Sequence, residues 1–307
     1  MAERQAAPRS PNYGGRLGYA IFHRTLRWFG VTPAYCLLAF VVPYYVLIRG
    51  RARRSVRPYL KRRFPERGAL WRFFAGAFYF YRFGQVLIDQ SAMGILGEER
   101  FRVEFPSARK FYRLAHRRRG VVLLGSHVGN WQTSMGKVDV LGLPVHFQFR
   151  LERHTEGQHF FDMAKNKDRF RFVSPDGFMG GLIELTNALA AGECVAMMGD
   201  RAYGAPVQPE VFLGARAPFP ITPHHLAAST GADLVALLTV RTGKLAFRMD
   251  CVRLASGRPG GGPGKDERIE LSLRRYVRSL ERHVEESPFQ WFNFFDFWGG
   301  GEQTPGP

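Results

Sequence analysis

One histidine closely follows an apolar run in the middle of the chain. Residues 120–125 (GVVLLG) form a short continuous apolar segment, which is typical of a strand buried on both faces of a sheet. His127 stands where the chain would leave the sheet, and open α/β sheets place reactive groups at the carboxyl ends of strands. Because an imidazole titrates near neutral pH, His127 is suited to act as a general base. The alternative for a lone histidine here is an ordinary loop residue.

The residues around the histidine decide which chemistry it can support. Gly129 and Asn130 can open a helix, whose first backbone N–H groups would bind an oxyanion or a phosphate. Ser126 precedes the histidine, but neighbouring side chains in an extended segment point in opposite directions. We therefore expect a base that works without a serine nucleophile.

The composition indicates the kind of partner. The chain has 307 residues, with 44 Lys and Arg against 26 Asp and Glu, and a formal net charge of +18. Its hydrophobic content of 45% excludes a wholly disordered basic protein. Cys36, Cys194 and Cys251 are too far apart for a CxxC pair or a disulfide framework, which indicates a reducing compartment. A basic, aromatic-rich chain predicts an anionic partner, which is a nucleic acid, a membrane surface or an acidic carrier protein.

The elements that must position the histidine follow from an alternation of strands and helices beyond residue 106. Further strands are predicted at residues 143–149, 170–173, 194–198 and 234–240, with residues 245–251 as an additional candidate. Helical spacing predicts helices at residues 108–118, 154–165, 181–191 and 267–286. Strands that alternate with helices indicate an α/β fold with a mainly parallel sheet flanked by helices.

The N-terminal region has a different pattern. Residues 1–16 are polar and contain Pro, Gly and Ser, which predicts a disordered tail and no secretory signal. Residues 17–30 have helical spacing, and residues 33–48 (PAYCLLAFVVPYYVLI) carry no charge. A membrane span needs about 20 apolar residues. The uncharged segment is therefore either a buried helix or one that enters a single leaflet, with Tyr44 and Tyr45 at headgroup level.

A strongly basic run follows the uncharged segment. Residues 49–63 contain eight Lys and Arg and no acidic residue. Juxtamembrane basic residues contribute about 1 kcal/mol each near an anionic leaflet, so the position of the run favours a lipid surface over a solvated helix face or a nucleic acid. The basic residues expected to contact the membrane are Arg49, Arg51, Arg53 and Arg54. Residues 67–96 predict one or two helices, whose aromatic side chains either fill the core or line a lipid-facing groove.

Several blocks of the sequence resemble one protein family. Residues 127–132 (HVGNWQ) resemble the His-x-Gly-Asn-Trp-Glu block of the bacterial lipid A lauroyl/myristoyl acyltransferases and their phosphatidylinositol-mannoside relatives. Further blocks resemble family segments in the family's order: MGDRAYG (198–204), VFLGARAPFP (211–220), LAASTGADLVALLTVR (226–241) and SPFQWFNFFDFW (287–298). The resemblance covers residues 17–298.

The resemblance implies a mechanism. His127 would remove the proton from an acceptor hydroxyl, which attacks an acyl thioester, and backbone donors near Gly129 would stabilise the oxyanion. The thioester is already activated, so the reaction requires no metal and no cofactor beyond acyl carrier protein or coenzyme A as the acyl donor.

The sequence departs from the family at the acid. The family's Glu or Asp falls on Gln132, whose carbonyl can accept a hydrogen bond from His127 but cannot supply negative charge. Asp200 in the MGDR block is the best substitute, and Asp139 is a weaker one. If neither serves, either catalysis is slower or the protein is a non-catalytic lipid-binding homologue.

Other residues have candidate roles in binding. Arg201 suits a phosphate on the acceptor or the donor, although a salt bridge to Asp200 is nearly as good an explanation. The family implies an acceptor-binding arginine near Arg150 or Arg169, and substrate contacts at Asn130 and Gly214. His224 and His225 lack metal-like spacing and favour a structural role. The C-terminal aromatic residues form either a packed clasp or an interface-seeking segment.

Together these features predict a membrane-associated O-acyltransferase. We expect a tail at residues 1–16, a helical membrane-associating region at residues 17–100, an α/β acyltransferase domain at residues 101–298 and a second tail at residues 299–307. The expected location is the cytoplasmic face of a bacterial inner membrane, and the expected acceptor is a lipid or glycolipid like lipid A. The basic surface suits anionic headgroups and an acidic acyl carrier protein. No helix-turn-helix, RNA-recognition or zinc motif is present, so we expect neither nucleic acid nor metal.

Overall fold

A mainly parallel sheet forms the centre of the computed structural model, which describes residues 16–132, 138, 142–148, 170–202, 204–257 and 264–299. Within these residues the sheet has seven strands in the order β1-β9-β8-β2-β5-β3-β4, and β6 and β7 form a separate hairpin. The strands are β1 (Arg102–Glu104), β2 (Val121–Gly125), β3 (Val145–Gln148), β4 (Phe170–Val173), β5 (Cys194–Met198), β6 (Val207–Phe212), β7 (Ala215–Pro220), β8 (Asp233–Gly243) and β9 (Ala246–Ala255). The predicted α/β class is confirmed.

Helices cover the sheet and form the whole N-terminal region that is described. They are α1 (Arg16–Phe29), α2 (Val31–Ile48), α3 (Gly50–Arg63), α4 (Ala69–Leu96), α5 (Ala108–Ala115), α6 (Leu182–Ala190), α7 (Thr222–Thr230) and α8 (Lys265–Glu286). The predicted helix at residues 154–165 lies outside the described residues, and so do residues 1–15 of the first predicted tail and residues 300–307 of the second. Residue 16, the last of the first predicted tail, is the first residue of α1.

The strand pairing follows from the apolar patterns, with some additions. The five strands β8, β2, β5, β3 and β4 are mutually parallel, while β9 is antiparallel to β8 and parallel to β1. The predicted strands at residues 170–173 and 194–198 match β4 and β5 residue for residue. Strand β1, the β6–β7 hairpin and helix α7 had no counterpart in the prediction. The hairpin was missed because its alternating polar and proline residues do not form an apolar run.

Both faces of the sheet are buried, as the continuous apolar strands predict. In β2, Val122 and Leu124 pack on one face together with the N-terminal helices. Val121 and Leu123 pack on the other face with α5. The central strands therefore lie inside the protein.

Helix α2 has one face inside the protein and one face outside. Its buried residues recur at helical spacing, at Val31, Ala34, Tyr35, Leu38, Val42 and Val46. The opposite face exposes Phe40, Tyr44 and Leu47, whereas Tyr45 is half-buried and packs edge-to-face against Phe80, with ring centroids 5.4 Å apart. By length and composition α2 is the one helix of the described chain that is suited to crossing a membrane, and 33% of it is buried inside the protein. The buried-helix alternative therefore holds for one face, and entry of the exposed face into a leaflet stays a prediction.

A buried polar cluster joins the N-terminal helices to the sheet. Asp89 on α4 accepts a hydrogen bond from the Tyr35 hydroxyl on α2 and one of 2.8 Å from Nε of Arg241 on β8. Nη2 of Arg241 donates to the Tyr35 hydroxyl at 3.0 Å. The Asp89 carboxylate is completely buried and the Arg241 side chain is only 5% exposed. Because charges are buried only when they are paired, this cluster fixes how the helices sit on the sheet.

Candidate active site

The ends of two neighbouring strands bring His127 and Asp200 together. Strands β2 and β5 are adjacent and parallel, and Gly125 at the end of β2 pairs with Met198 at the end of β5. Each strand is followed, two residues later, by a polar side chain at the same edge of the sheet. The register of the sheet therefore determines the meeting of these two residues, as expected from the sequence for Asp200.

A glycine keeps the two strand ends close. The Gly199 N–H donates to the Gly125 carbonyl at 2.9 Å. A Cβ at Gly199 would overlap the ring of Tyr276 and the side chain of Leu124. The Tyr276 hydroxyl also donates to the Gly125 carbonyl, at 3.0 Å. Glycine is therefore required where the segment that carries Asp200 passes the end of β2.

The Asp200 carboxylate accepts three hydrogen bonds. Its Oδ1 lies 2.8 Å from Nδ1 of His127, and its Oδ2 accepts from the His127 backbone N–H at 2.7 Å and from Nε1–H of Trp291 at 3.0 Å. Asp200 is completely buried, while the His127 side chain retains 13% exposure. An ionised carboxylate can only accept, so we assign the proton of the imidazole to Nδ1. This leaves the Nε2 lone pair available to take a proton.

The surroundings favour a neutral histidine beside an ionised carboxylate. Burial is the main cause that lowers the pKa of His127 below its usual value, the positive charge of Arg201 lowers it further, and Asp200 acts in the opposite direction. Burial is also the largest effect on the pKa of Asp200 and raises it, but the charge and hydrogen bonds of His127, together with Arg201, outweigh burial and leave this pKa lowered. At neutral pH the pair is therefore in the form that a general base needs.

The C-terminal aromatic segment, residues 287–298, packs against the histidine loop. Val128 and Trp291 lie opposite each other in an antiparallel bridge. The Phe292 N–H donates to the His127 carbonyl at 2.7 Å, and the Gly129 N–H donates to the Gln290 carbonyl at 2.6 Å. Trp291 is completely buried. Of the two alternatives for this segment, the packed clasp is the one observed.

The sequence predicts that the backbone N–H of Gly129 is free to stabilise an oxyanion. This prediction is wrong, because that N–H already donates to the Gln290 carbonyl. Gly129 has a φ of +54°, and a Cβ there would overlap the carbonyl oxygen of Thr239. Its conformation is thus required for close packing against β8. The helix expected after the histidine begins at Trp131 in the described residues.

Asn130 and Gln132 are buried in the loop and helix that follow the histidine. The Asn130 side-chain carbonyl accepts from Nε2 of Gln90 at 3.3 Å. Nδ1 of His127 carries one proton and lies 2.8 Å from the Asp200 carboxylate. Asp200 is therefore the hydrogen-bond acceptor of Nδ1–H, the role that the sequence assigned to Gln132. The orienting carboxylate therefore follows the neighbouring strand β5 and does not come from the helix that begins after His127.

Arg201 and Gly214 lie on elements that contact the clasp. Nη2 of Arg201 donates to the Phe292 carbonyl at 2.9 Å, and its guanidinium lies 5.8 Å from the ring centre of Phe295. Gly214 forms the turn of the β6–β7 hairpin, and Phe212 of that hairpin packs against Trp291, with ring centroids 5.1 Å apart. Arg150, Arg169 and Asp139 lie outside the described residues.

Two other features are separate from the pair. The buried His224 lies 2.7 Å from the Ser272 hydroxyl, and burial lowers its pKa to about 3, which fits a structural role.

A cavity of about 660 Å³ lies between α6 and the strands β3 and β4, and its described lining includes His146 and Arg171 but neither His127 nor Asp200. Among the described residues, no cluster of three His, Cys, Asp or Glu side chains could hold a metal.

Sequence reasoning missed Trp291 as a partner of Asp200, and it missed the buried pair of Asp89 and Arg241. For Trp291 there was no local signal, since it is one of several aromatics in the segment. For Asp89 there was one, because it is the only acidic residue in residues 67–96. An isolated acid in an apolar helix indicates a buried cationic partner.

The mainly parallel sheet and the His127–Asp200 pair at its carboxyl edge define an α/β protein with a candidate general-base site. The chain belongs to the bacterial lipid A biosynthesis acyltransferase family, whose model matches residues 1–298. It is therefore a lipid acyltransferase of a membrane-associated family, as the sequence blocks indicated.

The chain is similar to the 1-acyl-sn-glycerophosphate acyltransferase PlsC from Thermotoga maritima, with 13% sequence identity and a TM-score of 0.36. The similarity covers 85% of this chain and 99% of that chain. No curated protein matches the chain in sequence.

Proposed function

We propose that the protein moves a fatty acyl chain from an acyl thioester to a hydroxyl of a lipid or glycolipid like lipid A, with His127 as the general base. The acyl donor is acyl carrier protein or coenzyme A. The observation that carries the proposal is the 2.8 Å hydrogen bond between Nδ1 of His127 and the buried carboxylate of Asp200. It leaves Nε2 as the proton acceptor and provides the negative charge that Gln132 lacks. The non-catalytic alternative rested on that missing charge.

In the proposed reaction, His127 both removes and returns the one proton that is transferred. Nε2 of His127 takes the proton of the acceptor hydroxyl as the hydroxyl oxygen attacks the thioester carbonyl carbon. The Asp200 carboxylate stabilises the imidazolium that forms. When the tetrahedral intermediate collapses, the carbon–sulfur bond breaks and the imidazolium returns its proton to the leaving thiolate. The products are the new ester and the free thiol of the carrier.

Positively charged and polar groups are proposed to bind the substrates. Arg201 is close enough for its charge to lower the pKa of His127, which supports a role near an anionic group of the acceptor or donor. Asn130 and Gly214 are proposed as further contacts, together with Arg150 and Arg169. No bound metal or redox cofactor has a part in the scheme, because a thioester is already activated toward a hydroxyl.

The N-terminal helices are proposed to bind the cytoplasmic face of a bacterial inner membrane. Exposed apolar side chains lie on α1, α2 and α4, namely Trp28, Phe29, Phe40, Val41, Tyr44, Leu47, Ile48, Leu70, Phe74 and Phe78. Helix α3, which follows α2 directly, exposes Arg51, Arg53 and Arg54, and Arg49 between the two helices is exposed as well. Apolar side chains beside a basic helix suit an anionic lipid surface, which makes this region the proposed membrane-binding surface.

Neutralising the basic helix should weaken membrane binding. We expect the triple variant R51Q/R53Q/R54Q to bind phosphatidylglycerol-containing vesicles about 100-fold more weakly at low salt, because each basic residue contributes about 1 kcal/mol. Vesicle flotation measures the partition coefficient. The matched control is R274Q/R278Q/R282Q, which removes the same charge from exposed positions on α8. Equal losses in both triples would show that net charge, and not this surface, drives binding.

Loss of His127 should remove one lipid product. In a bacterial host that expresses the protein, we expect mass spectrometry of lipid extracts to show one acylated species with the wild type and its absence with His127→Ala. The variant should still fractionate with membranes, since the proposed membrane-binding surface is on other elements. Unchanged lipids with retained membrane binding would instead support the non-catalytic lipid-binding homologue.

A further inference from the structure

Trp291 connects the His127–Asp200 pair to the N-terminal helices. Its Nε1–H donates to Oδ2 of Asp200 at 3.0 Å. Its backbone carbonyl accepts from the hydroxyl of Tyr79 on α4. The indole is completely buried. A donor that is fully buried and aimed at the carboxylate has no alternative partner in water, so the hydrogen bond to Asp200 is maintained.

The position of the indole is fixed by rings from several elements. It packs edge-to-face against Tyr59 of α3 at 5.3 Å, Phe212 of the β6–β7 hairpin at 5.1 Å and Phe297 of its own segment at 5.1 Å between ring centroids. The Tyr79 hydroxyl also accepts from the Asn293 N–H at 2.9 Å. Edge-to-face contacts of this kind restrict rotation of the ring. The N–H vector toward Asp200 is therefore set by the packing and does not depend on bound substrate.

We propose that Trp291 is a positioning residue, which orients the Asp200 carboxylate and thereby adjusts the basicity of His127. The proposal rests on the proposed role of His127 as the base. Oδ2 of Asp200 is held by two donors, the His127 backbone N–H and the Trp291 indole, so that Oδ1 faces the imidazole. The indole N–H also draws negative charge away from the carboxylate. Both effects act on the histidine through Asp200, without contact to the reacting atoms.

Removing the indole N–H should change the pKa of His127 in a predictable direction. In Trp291→Phe the aromatic packing is largely kept, but the carboxylate loses one donor and concentrates more charge opposite the imidazole. The pKa of His127 should then rise toward its usual value, because the protonated form is stabilised more strongly. The other charged group that acts on His127, Arg201, is unchanged in the variant. The acidic limb of the kcat/KM profile should therefore move to higher pH.

The test compares two tryptophans of the same cluster. Trp298 packs against Trp291 at 6.2 Å, but its Nε1–H donates to the Phe212 carbonyl at 3.2 Å and not to Asp200. For W291F we expect kcat about 10-fold lower, KM within about twofold and the acidic limb shifted upward, as for loss of a hydrogen bond to a charged group. For W298F we expect neither a change in kcat nor a shift of the limb.

A second measurement separates this proposal from the proposed function. Carbethoxylation of His127 by diethyl pyrocarbonate, followed against pH by mass spectrometry of the full-length protein in detergent, reports its titration without turnover. The W291F titration should lie at higher pH than that of the wild type even if no acyl transfer is found. An unshifted titration in folded W291F, or an equal shift in W298F, overturns the positioning role.

Discussion

Replacement of Asp200 by asparagine is expected to lower kcat for acyl transfer about 10⁴-fold, with little change in KM. An amide keeps the shape of the carboxylate but removes its negative charge, so the imidazolium that forms in the reaction is no longer stabilised. The asparagine NH₂ can also face Nδ1 of His127, which would move the imidazole proton to Nε2 and block the base. The two side chains act as a unit, and losing the carboxylate of such a unit costs less than losing the histidine itself.

The measurement is single-turnover acyl transfer from a carrier-bound fatty acid, with the folded state checked by thermal unfolding. Asp233→Asn is the matched control, since Asp233 is also buried but accepts from Arg253 at 2.6 Å and from the Gly257 N–H at 3.1 Å near the start of β8. It should lose stability and keep its kcat. A similar fall of kcat in both variants would mean that the effect of Asp200 is structural.

The glutamine at the family's acid position provides a further control. Gln132→Glu alone should not raise activity, because Asp200 already binds Nδ1 of His127. The double variant Q132E/D200N should remain as slow as D200N, since position 132 is buried and a new carboxylate there would be poorly solvated. Recovery of activity in the double variant would show that the family's arrangement can still operate in this chain.

The strands were predictable because short-range patterns determine them, whereas Asp200 was expected beside His127 from the resemblance to the family. Strand β5 is a continuous apolar run and β4 alternates apolar residues with Arg171, and the bounds of both agree with the sequence prediction. The pairing of His127 with Asp200 needs only two parallel neighbours in register, with each polar residue two positions beyond its strand. The resemblance to the family placed the MGDR block, which contains Asp200, beside His127. This part of the site depends on local pattern and sheet register.

The rest of the site depends on contacts that no local pattern encodes. Trp291 is 91 positions from Asp200 along the chain, and nothing in an aromatic run indicates which ring points at a carboxylate. The Gly129 N–H was expected to be free because a helix start leaves donors unpaired, but Gln290 takes it. Tertiary pairing with a distant segment therefore overrides the local expectation.

Helix α2 illustrates the same limit for the membrane-binding surface. An uncharged sequence has no amphipathic pattern, so it cannot show which face packs on the protein. Packing against α4 selects the face with Tyr35 and Leu38, and this leaves Phe40 and Tyr44 outside. In the sequence, the only sign of an ion pair between this region and the sheet is Asp89, the single acidic residue of residues 67–96.

Asp89→Ala is expected to destabilise the protein by about 3–5 kcal/mol, the usual effect of removing one partner of a buried ion pair. The guanidinium of Arg241 would remain buried without its carboxylate, and the Tyr35 hydroxyl would lose its acceptor. The backbone of Arg241 exchanges two hydrogen bonds with the Gln290 side chain, at 2.8 and 2.9 Å, so the strain should extend to the clasp. Urea unfolding in detergent, followed by tryptophan fluorescence, measures the change.

The double variant D89L/R241M distinguishes loss of the pair from loss of a buried charge. Two apolar side chains of similar volume leave no unpaired charge, so this variant should be markedly more stable than D89A. It should remain below the wild type, because the Tyr35 hydroxyl loses both its acceptor and its donor. Because Gln290 bonds only to the backbone of residue 241, the double variant should also keep the clasp and a kcat near that of the wild type. If D89L/R241M is as unstable as D89A, the specific geometry of the ion pair, and not merely its neutralisation, holds the N-terminal helices on the sheet.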